Sequence, residues 1–274
     1  MAVARGWEGR PLIADNGRDG VLMSRDLAAK TNTGLVRGRN EDSAYVGHWL
    51  CAVADGLGGH VAGDIASTAV VKALRPFDLN VSPEQLTGVL GRAVSAASDQ
   101  LAAMIAADRS LIGMGSTLTA MLWADNCTAV ANIGDSRGYL VRRGALSRIT
   151  EDHVMGNLVA NPAPTRIGAA LVRYLDGRLD RSPDLTVRTM LPGDRFMICS
   201  DGLSGVLEPP IVRDVLTSVV DAGQTAAELI RLTLEAGAPD NVTVIIADVP
   251  DGIWRAPEGS PVVLGAASRP AMTK

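Results

Sequence analysis

Residues 117–142 read TLTAMLWADNCTAVANIGDSRGYLVR, and this stretch limits the fold more than any other. Three β-prone runs, Thr117–Trp123, Thr128–Ile133 and Gly138–Arg142, follow one another with no room for a crossover helix. The connections ADN at 124–126 and RRGA at 142–145 are hairpin signals, so the pairing they predict is antiparallel. Further runs of the same kind are Trp49–Ala54, Leu185–Met190, Arg195–Cys199 and Val242–Val249.

Helical periodicity is confined to two clusters. Leu86, Leu90, Val94, Ala97 and Leu101 recur at three- and four-residue steps after Ser82-Pro83, a good N-cap and first-turn pair. A shorter candidate covers Gly63–Arg75, and Pro209–Val220 with Thr225–Ala236 forms a second pair. Strand, two helices, several antiparallel strands, two helices and a final strand predict an α+β fold, with antiparallel sheets flanked by helix layers, rather than alternating βαβ units.

At 274 residues, 47% hydrophobic and 20% charged, the chain can bury the core of one large domain. Residues 1–30 lack periodicity and read as a loosely ordered extension, and 250–274, rich in Pro, Gly, Ala and Ser, reads as a flexible tail. The domain between them is placed at 31–249. No window approaches about 18 uninterrupted apolar residues, so no membrane span is expected. The first residues lack the apolar centre and cleavage site of a signal peptide. Cys51, Cys127 and Cys199 are far apart and odd in number, as expected of reduced thiols in a cytoplasmic protein. Net charge −4, no long basic run and 3% aromatics argue against nucleic acid as a partner.

Aspartates recur at strand ends: Asp55 after CAVA, Asp135 after TAVANIG, Asp201 after RFMICS, and Asp240 before VTVIIADV. A single Asp-Gly is usually a turn. Four carboxylates at strand rims, if they converge, repel one another unless a cation lies among them. Oxygen donors without a His/Cys set favour hard ions such as Mg²⁺ or Mn²⁺. Glu41-Asp42 adds two carboxylates beside Arg37 and Arg39, whose planar forks suit phosphate oxygens as well as a surface ion pair. GLGGHVAG lacks the Lys-Ser/Thr of a P-loop and the third glycine of GxGxxG, and neither HExxH nor GxSxG occurs.

The ordered set RGRNEDS, VADGLGGHVAG, GMGSTLTA, ANIGDSRGYL, MICSDGLSG and APDNVTVIIADV resembles the bacterial metal-dependent protein phosphatases, the PPM family or protein phosphatase type 2C, from about Thr33 to Val249. The resemblance implies a sandwich of two antiparallel sheets between helix pairs. It implies two divalent ions, Mn²⁺ or Mg²⁺, and hydrolysis of phosphoserine and phosphothreonine by in-line attack of a hydroxide bridging them. Asp55 would bridge the ions, and the Gly56 carbonyl, Asp201 and Asp240 would complete their site. Glu41 would act through water, Asp42 would orient water, and Arg37 would bind phosphate. His60 is either a general acid or a hydrated loop histidine. Asp135 matches one ligand of a third ion, but Gly205 stands where the other belongs, so an intact third site is not expected. The short segment 151–184 replaces a longer flap. The partners implied are phosphoproteins, among them a kinase or its substrates. Two alternatives stay open: a catalytically weak phosphoprotein-binding relative and a small-molecule phosphomonoesterase.

Overall fold

The computed structural model describes residues 21–23, 26–57, 62–158, 170–178, 182–251 and 260–269. Two six-stranded sheets pack face to face. The first has the order β1 (Val21–Met23), β2 (Leu27–Asn32), β13 (Val242–Asp248), β12 (Arg195–Cys199), β9 (Arg137–Arg142), β10 (Ala145–Arg148). The second has the order β11 (Asp184–Thr189), β8 (Cys127–Ile133), β7 (Leu118–Ala124), β4 (Leu50–Ala54), β3 (Ser43–Val46), β14 (Val262–Gly265). Every strand pair is antiparallel. A short ribbon, β5 (Gly56–Leu57) with β6 (Gly115–Ser116), extends from the second sheet.

Helices α1 (Ala62–Leu74) and α2 (Leu86–Ala107) cover the outer face of the second sheet, and α4 (Pro209–Ser218) and α5 (Ala222–Glu235) cover that of the first. A single turn, α3 (Asp201–Ser204), opens at the end of β12. Period-two alternation sorts the strand side chains into three layers of core. On β4, Leu50, Ala52 and Ala54 meet the helices while Cys51 and Val53 point between the sheets. On β12, Phe196 and Ile198 point between the sheets while Met197 and Cys199 meet α4 and α5. Both faces are buried, which is why these strands are continuous apolar runs.

The hairpin signals are realised. Asp125, with φ 49°, turns β7 into β8, and Arg143-Gly144, with φ 53° and 77°, turns β9 into β10. The two ends differ from expectation. The extension expected over 1–30 includes β1 and most of β2, and β2 lies inside the first sheet against β13. LAAKTN has few β-branched residues, so its strand comes from tertiary pairing rather than propensity. The expected tail at 250–274 contains β14, which pairs with β3. The C-terminal helix of the second pair also starts earlier, at Ala222, where Asp221 caps it by accepting the Gln224 N–H at 2.8 Å.

Candidate active site

Strand register brings the acidic residues to one edge of the sandwich. Ser43 pairs with Ala54, so Asp42 and Asp55 leave the β3–β4 pair side by side. Cys199 pairs with Val244, which brings Asp201 and Asp240 to the same edge of the other sheet. Leu118 pairs with Ile133, so Asp135 follows at the end of β8. Thr117 N donates to the Asp55 carbonyl at 2.9 Å, and Asp55 N donates to Thr117 Oγ1 at 3.0 Å.

Asp42 is fully buried and joins the sheets. Its Oδ2 accepts Ser200 Oγ at 2.8 Å and Thr243 Oγ1 at 2.7 Å. The direction of these bonds can be read from their far ends. Asp42 N donates to Asn40 Oδ1, which fixes the Asn40 amide so that Nδ2 donates to Thr31 Oγ1 at 2.8 Å. Thr31 then donates to Thr243, and Thr243 donates to Asp42. Asp42 Oδ2 is therefore an acceptor only, and Oδ1 is buried without a hydrogen-bond partner. Burial pushes the carboxyl up to about 7 despite the two hydroxyl donors.

The neighbouring carboxyls are under the same stress. Burial, then Asp42, Asp201 and Asp135, hold Asp55 well above the usual carboxylate range. Burial raises Asp201 as well, and the two carboxyls perturb one another. Neighbouring buried carboxyls cannot all ionise cheaply. Asp201 Oδ1 is a second buried oxygen without a hydrogen-bond partner. Burial and Asp201 push Asp135 up to about 7. Glu41 is raised by burial and then by Asp64.

On the other flank, the Gly56 carbonyl and Glu41 Oε2 both crowd Gly63, where a Cβ would collide with them. Arg37 Nη2 donates to Asp240 Oδ2 at 2.6 Å, and Asp240 Oδ1 accepts the Asn241 N–H at 2.8 Å. The sequence-predicted Arg37, Glu41, Asp42, Asp55, Gly56, Asp135, Asp201 and Asp240 thus gather at one edge. His60 lies outside the described residues. Among the described residues, no three His, Cys, Asp or Glu side chains already close on a single point. Neighbouring oxygen donors whose carboxyls are all raised, with buried Asp42 and Asp201 oxygens that lack hydrogen-bond partners, fit hard divalent cations.

Sequence reasoning missed the polar groups that hold this set. Thr117 Oγ1 and Ser136 Oγ lie 2.8 Å apart behind Asp55, and Thr119 Oγ1 donates to the Ser136 carbonyl at 3.0 Å. Asp64, in the first turn of α1, lies 3.7 Å from Arg39 and 3.8 Å from Arg269 and has a buried oxygen without a hydrogen-bond partner. Its signal was in plain view, as an acidic residue closing GHVAGD. The cysteines are free, and burial pushes the Cys51 and Cys199 thiols up, Cys199 to about 12, which makes both poor nucleophiles.

A family model described as protein phosphatase 2C matches residues 39–236. The chain belongs to the protein phosphatase 2C family. It is 40% identical over 256 residues to the serine/threonine protein phosphatase PstP of Mycobacterium tuberculosis, an alignment covering 90% of this chain and 49% of that protein. The chain therefore spans about half the length of PstP. The serine/threonine phosphatase stp of Listeria welshimeri is 29% identical over 236 residues, 80% of this chain and 94% of that protein. The crystal structure of the M. tuberculosis phosphatase PstP/Ppp matches with a TM-score of 0.78 at 39% identity, covering 82% of this chain and 98% of that one. The catalytic domain of PstP in complex with two manganese ions matches with a TM-score of 0.77 at 41% identity, covering 82% of this chain and 98% of that one. The αββα sandwich is thus the 2C-family fold.

Proposed function

We propose that this chain is a metal-dependent serine/threonine protein phosphatase that uses two Mn²⁺ or Mg²⁺ ions. The observation that carries the reading is the crowded carboxylate edge, beside Arg37, in a 2C-family sandwich. Asp55, Asp201, Asp240 and the Gly56 carbonyl would hold the cations, with Glu41 supporting them through water. When bound, such a pair supplies Lewis acidity that lowers the pKa of water and offsets charge on phosphoryl oxygens.

The chain's own groups do the rest. Arg37 presents its guanidinium fork to the phosphate and offsets charge on the equatorial oxygens. Asp42, locked at Oδ2, keeps Oδ1 free to accept a hydrogen bond from the attacking water and hold it in line. Ser200 and Thr243 keep that oxygen from turning away. Asp135 is assigned to ordering this edge, because Gly205 offers no carboxylate to complete a third ion site. His60 remains the proposed donor to the leaving alkoxide.

The substrates we propose are phosphoserine and phosphothreonine proteins, including kinases or their targets, and the free cysteines support a cytoplasmic setting. The catalytic unit we propose runs from β1 to β14, with a short flap over 151–184. The test is hydrolysis of p-nitrophenyl phosphate and of a phosphothreonine peptide, with Mn²⁺ and with EDTA. Metal-dependent turnover of both is expected. No turnover of either would leave a phosphoprotein-binding relative, and aryl-phosphate turnover alone would leave a small-molecule phosphomonoesterase.

A further inference from the structure

Leu35 and Val36 are 65% and 71% exposed, although they immediately precede Arg37 at the carboxylate edge. Their exposure is not that of a loose loop. Asn241, itself buried, staples both ends: its Nδ2 donates to the Thr33 carbonyl at 2.8 Å and the Arg39 carbonyl at 2.9 Å, and its Oδ1 accepts the Glu41 N–H at 2.8 Å. Leu35 N donates to the Ala238 carbonyl at 2.9 Å, and Gly34 N to Asn32 Oδ1 at 2.8 Å. Gly34, with φ 76°, packs so tightly on the Ala238 and Asp240 carbonyls that no side chain fits there. The backbone therefore holds two apolar side chains in water beside the site, which is costly unless something covers them.

We propose that Leu35 and Val36 form a ledge that receives an apolar side chain flanking the phosphoresidue of a protein substrate. The inference rests on the phosphatase reading and names what that site prefers. Val36 adjoins Arg37 on the same exposed run, so a phosphate held by Arg37 keeps the residues flanking it within reach of the Leu35 and Val36 side chains. Arg37 and Arg39 on the same exposed run match a phosphate dianion, while the pair before them matches an uncharged neighbour. The exposed Val220, by contrast, lies in the link between α4 and α5, among none of the gathered residues.

The test is the double variant Leu35→Ser/Val36→Ser, assayed with Mn²⁺ on p-nitrophenyl phosphate and on two phosphothreonine peptides that differ only in Leu or Ser beside the phosphoresidue. Wild type should prefer the Leu peptide. In the variant, kcat/KM for that peptide should fall about tenfold, mostly through KM, and the preference should vanish. Turnover of p-nitrophenyl phosphate should stay within about twofold, as for other surface changes. Equal losses on aryl phosphate and peptide would overturn the ledge, since the run would then only position Arg37. A wild type indifferent to Leu or Ser would overturn it too. A wild type inactive on every phosphoester would instead sink the phosphatase reading, and the ledge with it.

Discussion

The β3–β4 hairpin has a buried carboxylate environment at each end, and the two are opposites. At the turn, Asp78 is saturated. Its Oδ1 accepts the Trp49 and Leu50 N–H groups at 2.6 and 3.0 Å, and its Oδ2 accepts His48 N and Tyr45 OH at 2.9 and 3.0 Å. At the open end, Asp42 and Asp55 are held well up by burial and by the carboxyls around them, and the buried Oδ1 atoms of Asp42 and Asp201 lack hydrogen-bond partners. Asp194 follows the pattern of Asp78, gripped by the Arg142 fork at 2.8 and 2.6 Å and by Leu191 N at 2.8 Å. The chain can evidently satisfy a buried carboxylate. Where it does not, the unsatisfied oxygens mark a place kept for something else.

That contrast predicts opposite responses to similar changes. The largest expected effect is on turnover at the open end. Asp55→Asn or Asp201→Asn should cut kcat by about 10³-fold, the scale of removing one group that stabilises transition-state charge. Calorimetry should find either variant as stable as wild type or more so, because a repelling carboxylate has been removed. Mn²⁺ at about 100 Kd should raise wild-type stability by about 2.7 kcal/mol, and this gain should shrink in both variants. Near wild-type turnover in either would show that the metal assignment is wrong.

At the turn the order reverses. Asp78→Ala strands buried donors and should cost about 3 kcal/mol in urea unfolding while leaving kcat per folded molecule unchanged. A loss of activity at full folding would mean that the two ends are coupled, and the contrast would fail. Arg37→Ala should act more weakly than either, raising KM about tenfold with a smaller change in kcat, since it removes a charge-assisted contact to phosphate. An unchanged KM would remove its phosphate role.

The same contrast explains what could be read from the sequence. Asp55, Asp201 and Asp240 were legible because each interrupts or borders an apolar strand, and Arg37, Glu41 and Asp42 because they crowd a single short segment. Their supports were not. Ser200 and Thr243 look like ordinary strand-end residues, and their shared partner Asp42 lies more than 150 residues away in the chain. Asn241 reads as half of a turn, yet its amide holds three backbone groups of the 33–41 run. Long-range hydrogen bonds leave no periodicity. The edge strands β1 and β14 were hidden for another reason, since VLM and VVLG are β-prone but short and set among Gly, Pro and charged residues without periodicity, and pairing with β2 and β3 is what fixes them.

His153 tests whether satisfaction or location decides the response, because it is paired like Asp78 but lies near the open end. Its Nδ1 accepts the Gly134 N–H at 3.0 Å, and its Nε2 lies 3.0 Å from Asp184 Oδ2, with Arg173 in contact with both residues. The accepting Nδ1 places the single proton of the neutral ring on Nε2. Burial outweighs Asp184 and holds His153 below its ordinary value. The folded chain therefore binds fewer protons here than the unfolded chain, so stability should be complete above about pH 6.5 and fall as pH drops through the lowered folded pKa. Asp184 is lowered too, but it titrates in the acid range and leaves this window unaffected. His153→Gln can still accept from Gly134 and donate to Asp184 but cannot titrate, so in EDTA its melting temperature should fall less than that of wild type between pH 7 and 5, a window in which the raised Asp42 and Asp135 gain stability on acidification, with the smallest change in turnover of the set. An unaltered slope in that variant would mean that His153 binds its proton equally well in the folded and unfolded chain, because the raised edge carboxyls gain stability on acidification and cannot cause this loss.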